Sequence, residues 1–219
     1  MTAPNASHAI SDKGMDLLNR LCDAWNGERG ELQSIVEEFN LQMLTGGSGG
    51  REILPFPDEY ITEFYFDEWE HETFYIAKIC GIPNPQNYRE VHIWNQAYGR
   101  SDPDLFAPID AWDEEYRWLL MKRITPVSPI SRDLAYAQNG QEYIVDENAP
   151  DRIEDWLENE GWHIEDAPEN IGFHEEQEYM CLFDYGGVHP VDGEIDYPTL
   201  VQNAIEQFNQ QRSGSETDS

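Results

Sequence analysis

Positive charge is what this chain has least of. Its 219 residues hold 13 Lys and Arg against 44 Asp and Glu, a formal net charge of −31, and lysine stands only at positions 13, 78 and 122. Without a basic patch or stripe, direct binding to nucleic acid or to an anionic lipid surface is excluded as its main activity. Cysteine is also scarce. Cys22, Cys80 and Cys181 are odd in number and widely spaced, which excludes a disulfide framework and a zinc knuckle. They read as buried free thiols in a reducing compartment. No apolar run approaches the roughly 20 residues needed to span a bilayer. Residues Met1 to Ser11 carry neither the basic region nor the apolar stretch of a signal peptide. The expected location is the cytoplasm, a host's cytoplasm if the source is viral.

What is present is a folding core inside an acidic shell. Hydrophobic residues make up 39% of the chain and aromatic residues 12%, with seven Trp, eleven Tyr and nine Phe. Disordered acidic chains are poor in such residues. The charge is large on an absolute scale: duplex DNA carries one charge per ~1.7 Å, so the same charge occupies roughly 53 Å, or about 15 base pairs. A compact chain of this length is about 45 Å across. It is also uneven. The first hundred residues hold 16 acids and 7 bases, for −9, leaving −22 for the rest. Asp151 to Asp184 alone contains twelve acids and one base, Arg152.

The apolar pattern predicts an α+β fold, a mainly antiparallel sheet covered by helices, with an N-terminal helical hairpin. Residues 1–10 read as a flexible arm. Residues 11–45 form the hairpin: Ser11 or Asp12 caps a helix carrying Met15, Leu18, Leu21, Cys22 and Trp25, and a second helix runs from Glu31 to Met43. Gly46 to Gly50 reads as a linker or loop, followed by an acidic domain over 51–211 and a flexible tail over 212–219. Within that domain, Pro57 to Gly81 reads as a helix, with a hairpin as the alternative. Arg89 to Trp94 alternates like a strand. Asp110 to Arg123 reads as a helix. Asn139-Gly140 marks a hairpin between 134–138 and 141–145. A short helix starts at Pro150 with Ile153, Trp156 and Leu157 inward. Strands follow at 162–165 and 178–185, then a last helix from Asp196 with Leu200, Val201, Ala204, Ile205 and Phe208 as its apolar face.

Motifs that resemble catalytic signatures do not carry their structural context. Gly46-Gly47-Ser48-Gly49-Gly50 matches G-x-S-x-G, but a nucleophile elbow needs a strand before the serine and a helix after it. Here a helical pattern precedes it and prolines follow. No Lys-Ser/Thr completes a phosphate loop. Glu68, His71 and Glu72 would share one helix face and suit a transition metal. A second Glu-x-x-His at Glu160 and His163 straddles Gly161, where a helix ends. His174 with Glu175 and Glu176 is a weaker variant of the same idea. Asp184, Asp192, Glu194 and Asp196 offer hard oxygen ligands for calcium without the EF-hand order. No catalytic residue, metal ligand set or cofactor is assigned.

The charge therefore carries the functional expectation. A folded acidic protein can occupy the nucleic-acid site of a basic partner, as DNA-mimic inhibitors of the anti-restriction, anti-CRISPR and nuclease-immunity kinds do, because carboxylates accept the Arg and Lys contacts that phosphates otherwise take. The expected partner is a basic nucleic-acid-binding protein or a nuclease. One row of carboxylates is sparser than duplex charge, so mimicry needs neighbouring rows or a homodimer. The candidate contact residues are Glu158, Glu160, Glu165, Asp166, Glu175, Glu176 and Glu178, with Trp162 as an apolar anchor or, alternatively, a core residue. Two other readings stand beside it. One is a viral or salt-adapted accessory protein with a solubilising acidic surface; an excess of Glu over Asp and plentiful amides weigh against salt adaptation. The other is a metal-dependent enzyme using Glu68 and His71.

Overall fold

The computed structural model describes residues 10–25, 29–44, 50–61, 75–131, 134–137, 142–144, 146, 148–164, 170–174 and 179–215. Its helices are α1 (Asp12–Trp25), α2 (Arg29–Glu38), α3 (Pro85–Arg100), α4 (Ala149–Asn159) and α5 (Thr199–Ser215). Its strands are β1 (Glu52–Phe56), β2 (Tyr75–Ile79), β3 (Ile109–Trp112), β4 (Trp118–Lys122), β5 (Thr125–Ser131), β6 (Leu134–Ala137), β7 (Glu142–Ile144), β8 (Trp162–His163), β9 (Ile171–His174), β10 (Tyr179–Leu182) and β11 (His189–Pro190). Among the described residues the strands form three sheets, ordered β1-β2-β4-β3, β10-β9-β5-β6-β7 and β11-β8. The class is α+β, with the N-terminal helical hairpin in place. Among the described residues no helix is long and apolar enough to cross a membrane.

The chain divides into two compact units. One holds residues 89–110 and 121–195; the other holds 6–88, 111–120 and 196–219. The chain passes between them inside α3, β3 and β4 and again after Ile195. Leu17, Leu18 and Leu21 of α1 and Leu32 and Val36 of α2 share one core with Leu54, Phe56, Ala77, Ile79 and Trp118 of the strands.

Local chemistry sets the helix ends in this unit. Ser11 caps α1: the Gly14 N–H donates to its Oγ at 3.2 Å. Asn40 adopts a left-handed φ of 49° and closes α2, with the Leu41 N–H donating back to Val36 O at 2.8 Å. The second helix thus stops short of the expected Met43. Residues 75–79, expected within a helix over 57–81 or in its hairpin alternative, form β2, which pairs with β1 from Glu52↔Ile79 to Phe56↔Tyr75. Leu54 and Phe56 face inward at a period of two, as do Tyr75, Ala77 and Ile79. Residues 62–74 lie outside the described residues.

Two further expectations are corrected. Residues 89–94 are helical, because Asn84 caps α3 with its Oδ1, accepting from the Gln86 and Asn87 N–H groups at 2.9 and 3.1 Å. Burial of Asn87, Glu90, Val91, Trp94 and Ala97 then follows the helical period, which overrides the local alternation of Val91 and Ile93. Residues 110–123 form the β3–β4 hairpin rather than a helix. Trp118, Leu119, Leu120 and Met121 are all buried, so the strand is covered on both faces. Such a run has no period to distinguish it from a buried helix.

The other unit has its own core, in which Phe106 packs edge-on against Trp156 at 4.9 Å and Tyr185 at 5.2 Å. The fully buried Tyr185 donates its hydroxyl to Ala107 O at 2.9 Å, which satisfies a polar tip in an apolar site. The β6–β7 pairing, Leu134↔Ile144 through Tyr136↔Glu142, matches the hairpin expected around Asn139-Gly140, itself outside the described residues. Helix α4 matches its expectation, with Ile153, Trp156 and Leu157 buried. Helix α5 extends to Ser215, past the expected start of the tail. Strands β5 and β9 were not expected. Their pairing, Thr125↔Phe173 and Pro126↔Gly172, joins segments far apart in sequence.

Gly14 offers a test of this packing. A Cβ there would meet Tyr60 Cβ at 2.7 Å and Ile10 Cγ2 at 2.8 Å. Helix propensity alone favours Ala over Gly by about 1 kcal/mol, whereas overpacking costs about 1–3 kcal/mol. Gly14→Ala is therefore expected to lower the urea unfolding midpoint, and a raised midpoint would contradict the close approach of α1 to Tyr60.

Candidate acidic interface

Helix α4 positions the densest described row of free carboxylates. Its sequence APDRIEDWLEN puts Ile153, Trp156 and Leu157 on the buried face. Asp151, Glu154, Asp155 and Glu158 then fall on the opposite, exposed face, at spacings of three and four residues that stack on one side of a helix. No hydrogen bond or ion pair among the described residues engages these four side chains. The one base in the helix, Arg152, is clasped to Asp146 at 2.7 Å. The row spans about 10 Å of axis, over which duplex DNA places about six charges. One helix thus supplies about two-thirds of duplex density without a second row.

Only the C-terminal end of the row runs against local electrostatic preference. Asp151 sits in the first turn, where the dipole favours an acid. Glu158 sits in the last turn, where no basic residue balances it and the dipole opposes it by about 0.3–1 kcal/mol.

The candidate contact residues divide. Glu158 belongs to the exposed row. Glu160 does not: its side chain is 19% exposed and accepts from Arg100 Nη2 at 3.2 Å, so its charge is already compensated. Trp162 is a core residue, 6% exposed, with its indole N–H donating to Gln96 Oε1 at 2.8 Å and its ring 5.8 Å from His92. It presents no apolar face as an anchor. Glu165, Asp166, Glu175, Glu176 and Glu178 lie outside the described residues. Sequence reasoning passed over Asp151, Glu154 and Asp155. Their signal was available: acids at i, i+3, i+4 and i+7 opposite Ile153, Trp156 and Leu157.

Elsewhere several of the scarce cations are drawn inward or engaged. Arg51 and Lys78 are buried, at 3% and 1% exposure. Arg51 Nη1 donates to Asn87 Oδ1 at 3.2 Å. Arg117 gathers Asp113 at 2.9 Å, Asp23 at 3.1 Å and Glu115 at 3.4 Å. Arg20 pairs with Glu38 at 2.8 Å and lies 5.1 Å from the Phe39 ring centroid. Cations spent in this way do not reach the exposed carboxylates of α4.

The motifs considered for catalysis do not gain support. Ser48, Glu68, His71 and Glu72 lie outside the described residues. Glu160 and His163 are separated by Gly161 at φ +82°, so they share no helix face. His174 is buried beside Tyr179. Asp192, Glu194 and Asp196 are exposed loop residues. Among the described residues no group of three or more His, Cys, Asp or Glu is placed to hold a metal ion. All three cysteines are free and buried. Burial pushes the Cys22 thiol up to about 12 and raises Cys181 as well, which keeps both protonated and unreactive near neutrality.

No protein-family model, no curated protein and no solved structure matches this chain.

His92 gives this region a pH dependence. Burial holds its imidazole below the ordinary value of 6.5. The unfolded chain therefore takes up a proton near pH ~6.5 while the folded chain resists it. Its contribution is complete above that pH and is lost as pH falls through the folded value. Urea unfolding at neutral pH and about two units lower should show a larger fall in midpoint for the native chain than for His92→Gln. Equal falls would contradict the assignment.

Proposed function

We propose that this chain is a binding protein, not an enzyme, that occupies the basic nucleic-acid-binding site of a partner, a nuclease or other DNA- or RNA-handling protein, in the manner of anti-restriction, anti-CRISPR or nuclease-immunity inhibitors. Its place of action under this reading is the cytoplasm, that of the host if the source is viral. The observation that carries the proposal is the unpaired carboxylate row of α4, Asp151, Glu154, Asp155 and Glu158, in a chain whose net charge is −31. A basic partner gains much of its nucleic-acid affinity by neutralising phosphates. Fixed carboxylates take the same Arg and Lys donors, with Arg able to bind bidentately. Long-range attraction then makes association fast and dependent on salt.

The test compares two sets of four neutral replacements. Asp151→Asn, Glu154→Gln, Asp155→Asn and Glu158→Gln together remove the α4 row. Asp16→Asn, Glu31→Gln, Glu37→Gln and Glu114→Gln remove the same charge from exposed positions in the other unit. Both sets should retain the circular dichroism of the native chain. Against a basic partner captured at low salt, the α4 set should weaken binding by about tenfold or more at physiological ionic strength, equal to about 1.4 kcal/mol. The control set should change it much less. Equal weakening would mean that only net charge matters. If neither set weakens binding, the acidic-interface reading fails.

A further inference from the structure

The β8–β11 ribbon places two imidazoles opposite one another. His163 of β8 and His189 of β11 are direct cross-strand partners in antiparallel register, with Trp162↔Pro190 next to them. The Val191 N–H donates to Gly161 O at 2.8 Å and continues the pairing. Side chains of directly opposed residues lie on one face with Cβ atoms about 5 Å apart. The ribbon turns the Trp162 face inward and the histidine face out: Trp162 is buried, and His163 and His189 are exposed. No hydrogen bond or ion pair among the described residues engages either imidazole. Both line an open cavity of about 470 Å³, with Glu158, Pro190 and Val191 as its other walls.

We propose that His163 and His189 form a two-imidazole chelate for a borderline divalent transition-metal ion, of the zinc, nickel or copper class. Two imidazoles on paired backbone converge on one ion without the ordering cost of a loop. Imidazole suits these metals, while magnesium and calcium prefer oxygen donors. No third His, Cys, Asp or Glu among the described residues is placed to close the site, so water fills its remaining positions. The bound ion ties β11 to β8. Glu158, on the wall of the same cavity, adds a negative field that favours a cation there. The site is independent of the acidic-interface reading: it needs no protein partner, and its donors are the histidines rather than the α4 row.

The experiment is a calorimetric titration of the full chain with Ni²⁺ and with Zn²⁺ alone, repeated with Mg²⁺ in large excess. Loss of outer-shell partners already costs a metal site about 10–100-fold, so loss of a direct ligand should cost at least about tenfold. His163→Ala and His189→Ala should each weaken Ni²⁺ and Zn²⁺ by about that factor or more, while His71→Ala leaves both unchanged and excess Mg²⁺ does not compete. Because both residues are exposed, neither substitution disturbs the core, and the circular dichroism of each variant checks this. A second readout is thermal: saturating Ni²⁺ should raise the unfolding temperature of the native chain and of His71→Ala, but not of His163→Ala. Retention of native affinity in either His163→Ala or His189→Ala would overturn the proposal. So would loss of binding in His71→Ala, or displacement by Mg²⁺, which would assign the binding to other donors.

Discussion

Repulsion among uncompensated carboxylates is the constraint to which the rest of this structure answers. Neighbouring charges about 6 Å apart on a helix face repel by about 0.7 kcal/mol in water before screening. A single row such as that of α4 is bearable, but a net charge of −31 on 219 residues adds many such repulsions. The chain meets this with aromatic-rich cores and with economical use of its few cations. Arg117 serves three carboxylates at once, and Arg20 serves Glu38 while lying over Phe39. Exposed ion pairs contribute at most about 1 kcal/mol each. Their larger effect is on the surface that remains, because each cation used as a clasp is one fewer to neutralise the acids facing solvent.

That partition gives the α4 row its meaning. Arg100 compensates Glu160 and Asp146 holds Arg152, but no described residue answers Asp151, Glu154, Asp155 or Glu158. An acid in the last turn of a helix without a basic neighbour lowers local stability. Solubility alone would be served as well by acids placed where helix dipoles favour them. The proposed inhibitor function rests on a row that runs the length of α4 at about two-thirds of duplex charge density.

Legibility from the sequence followed the physics of each segment. Helices α1, α2, α4 and α5 were readable because each has one apolar face and a polar opposite face, and Ser11 or Pro150 marks a start. The β6–β7 hairpin was readable from Asn139-Gly140. Misreadings fell where that contrast fails. Trp118 to Met121 is buried on both faces and so carries no period. Over 89–94 a chance alternation of Val91 and Ile93 concealed a helix whose decisive signal, the Asn84 cap, lies five residues upstream. Strands β5 and β9 depend on partners distant in sequence, which no local pattern reveals. At the candidate interface, composition located the acidic stretch but not its geometry. Glu158 could be named from charge alone. The compensation of Glu160 depends on Arg100, 60 residues away, and the burial of Trp162 depends on Gln96 and His92.

Competition for one site on the partner tests the central claim most directly. The partner is held on immobilised duplex DNA, and this chain is added at increasing concentration and fixed ionic strength. The account predicts mutually exclusive binding: DNA is released as the protein binds, the apparent affinity falls in proportion to DNA concentration, and no complex contains all three components. A stable ternary complex, with DNA affinity unchanged by saturating protein, would contradict it.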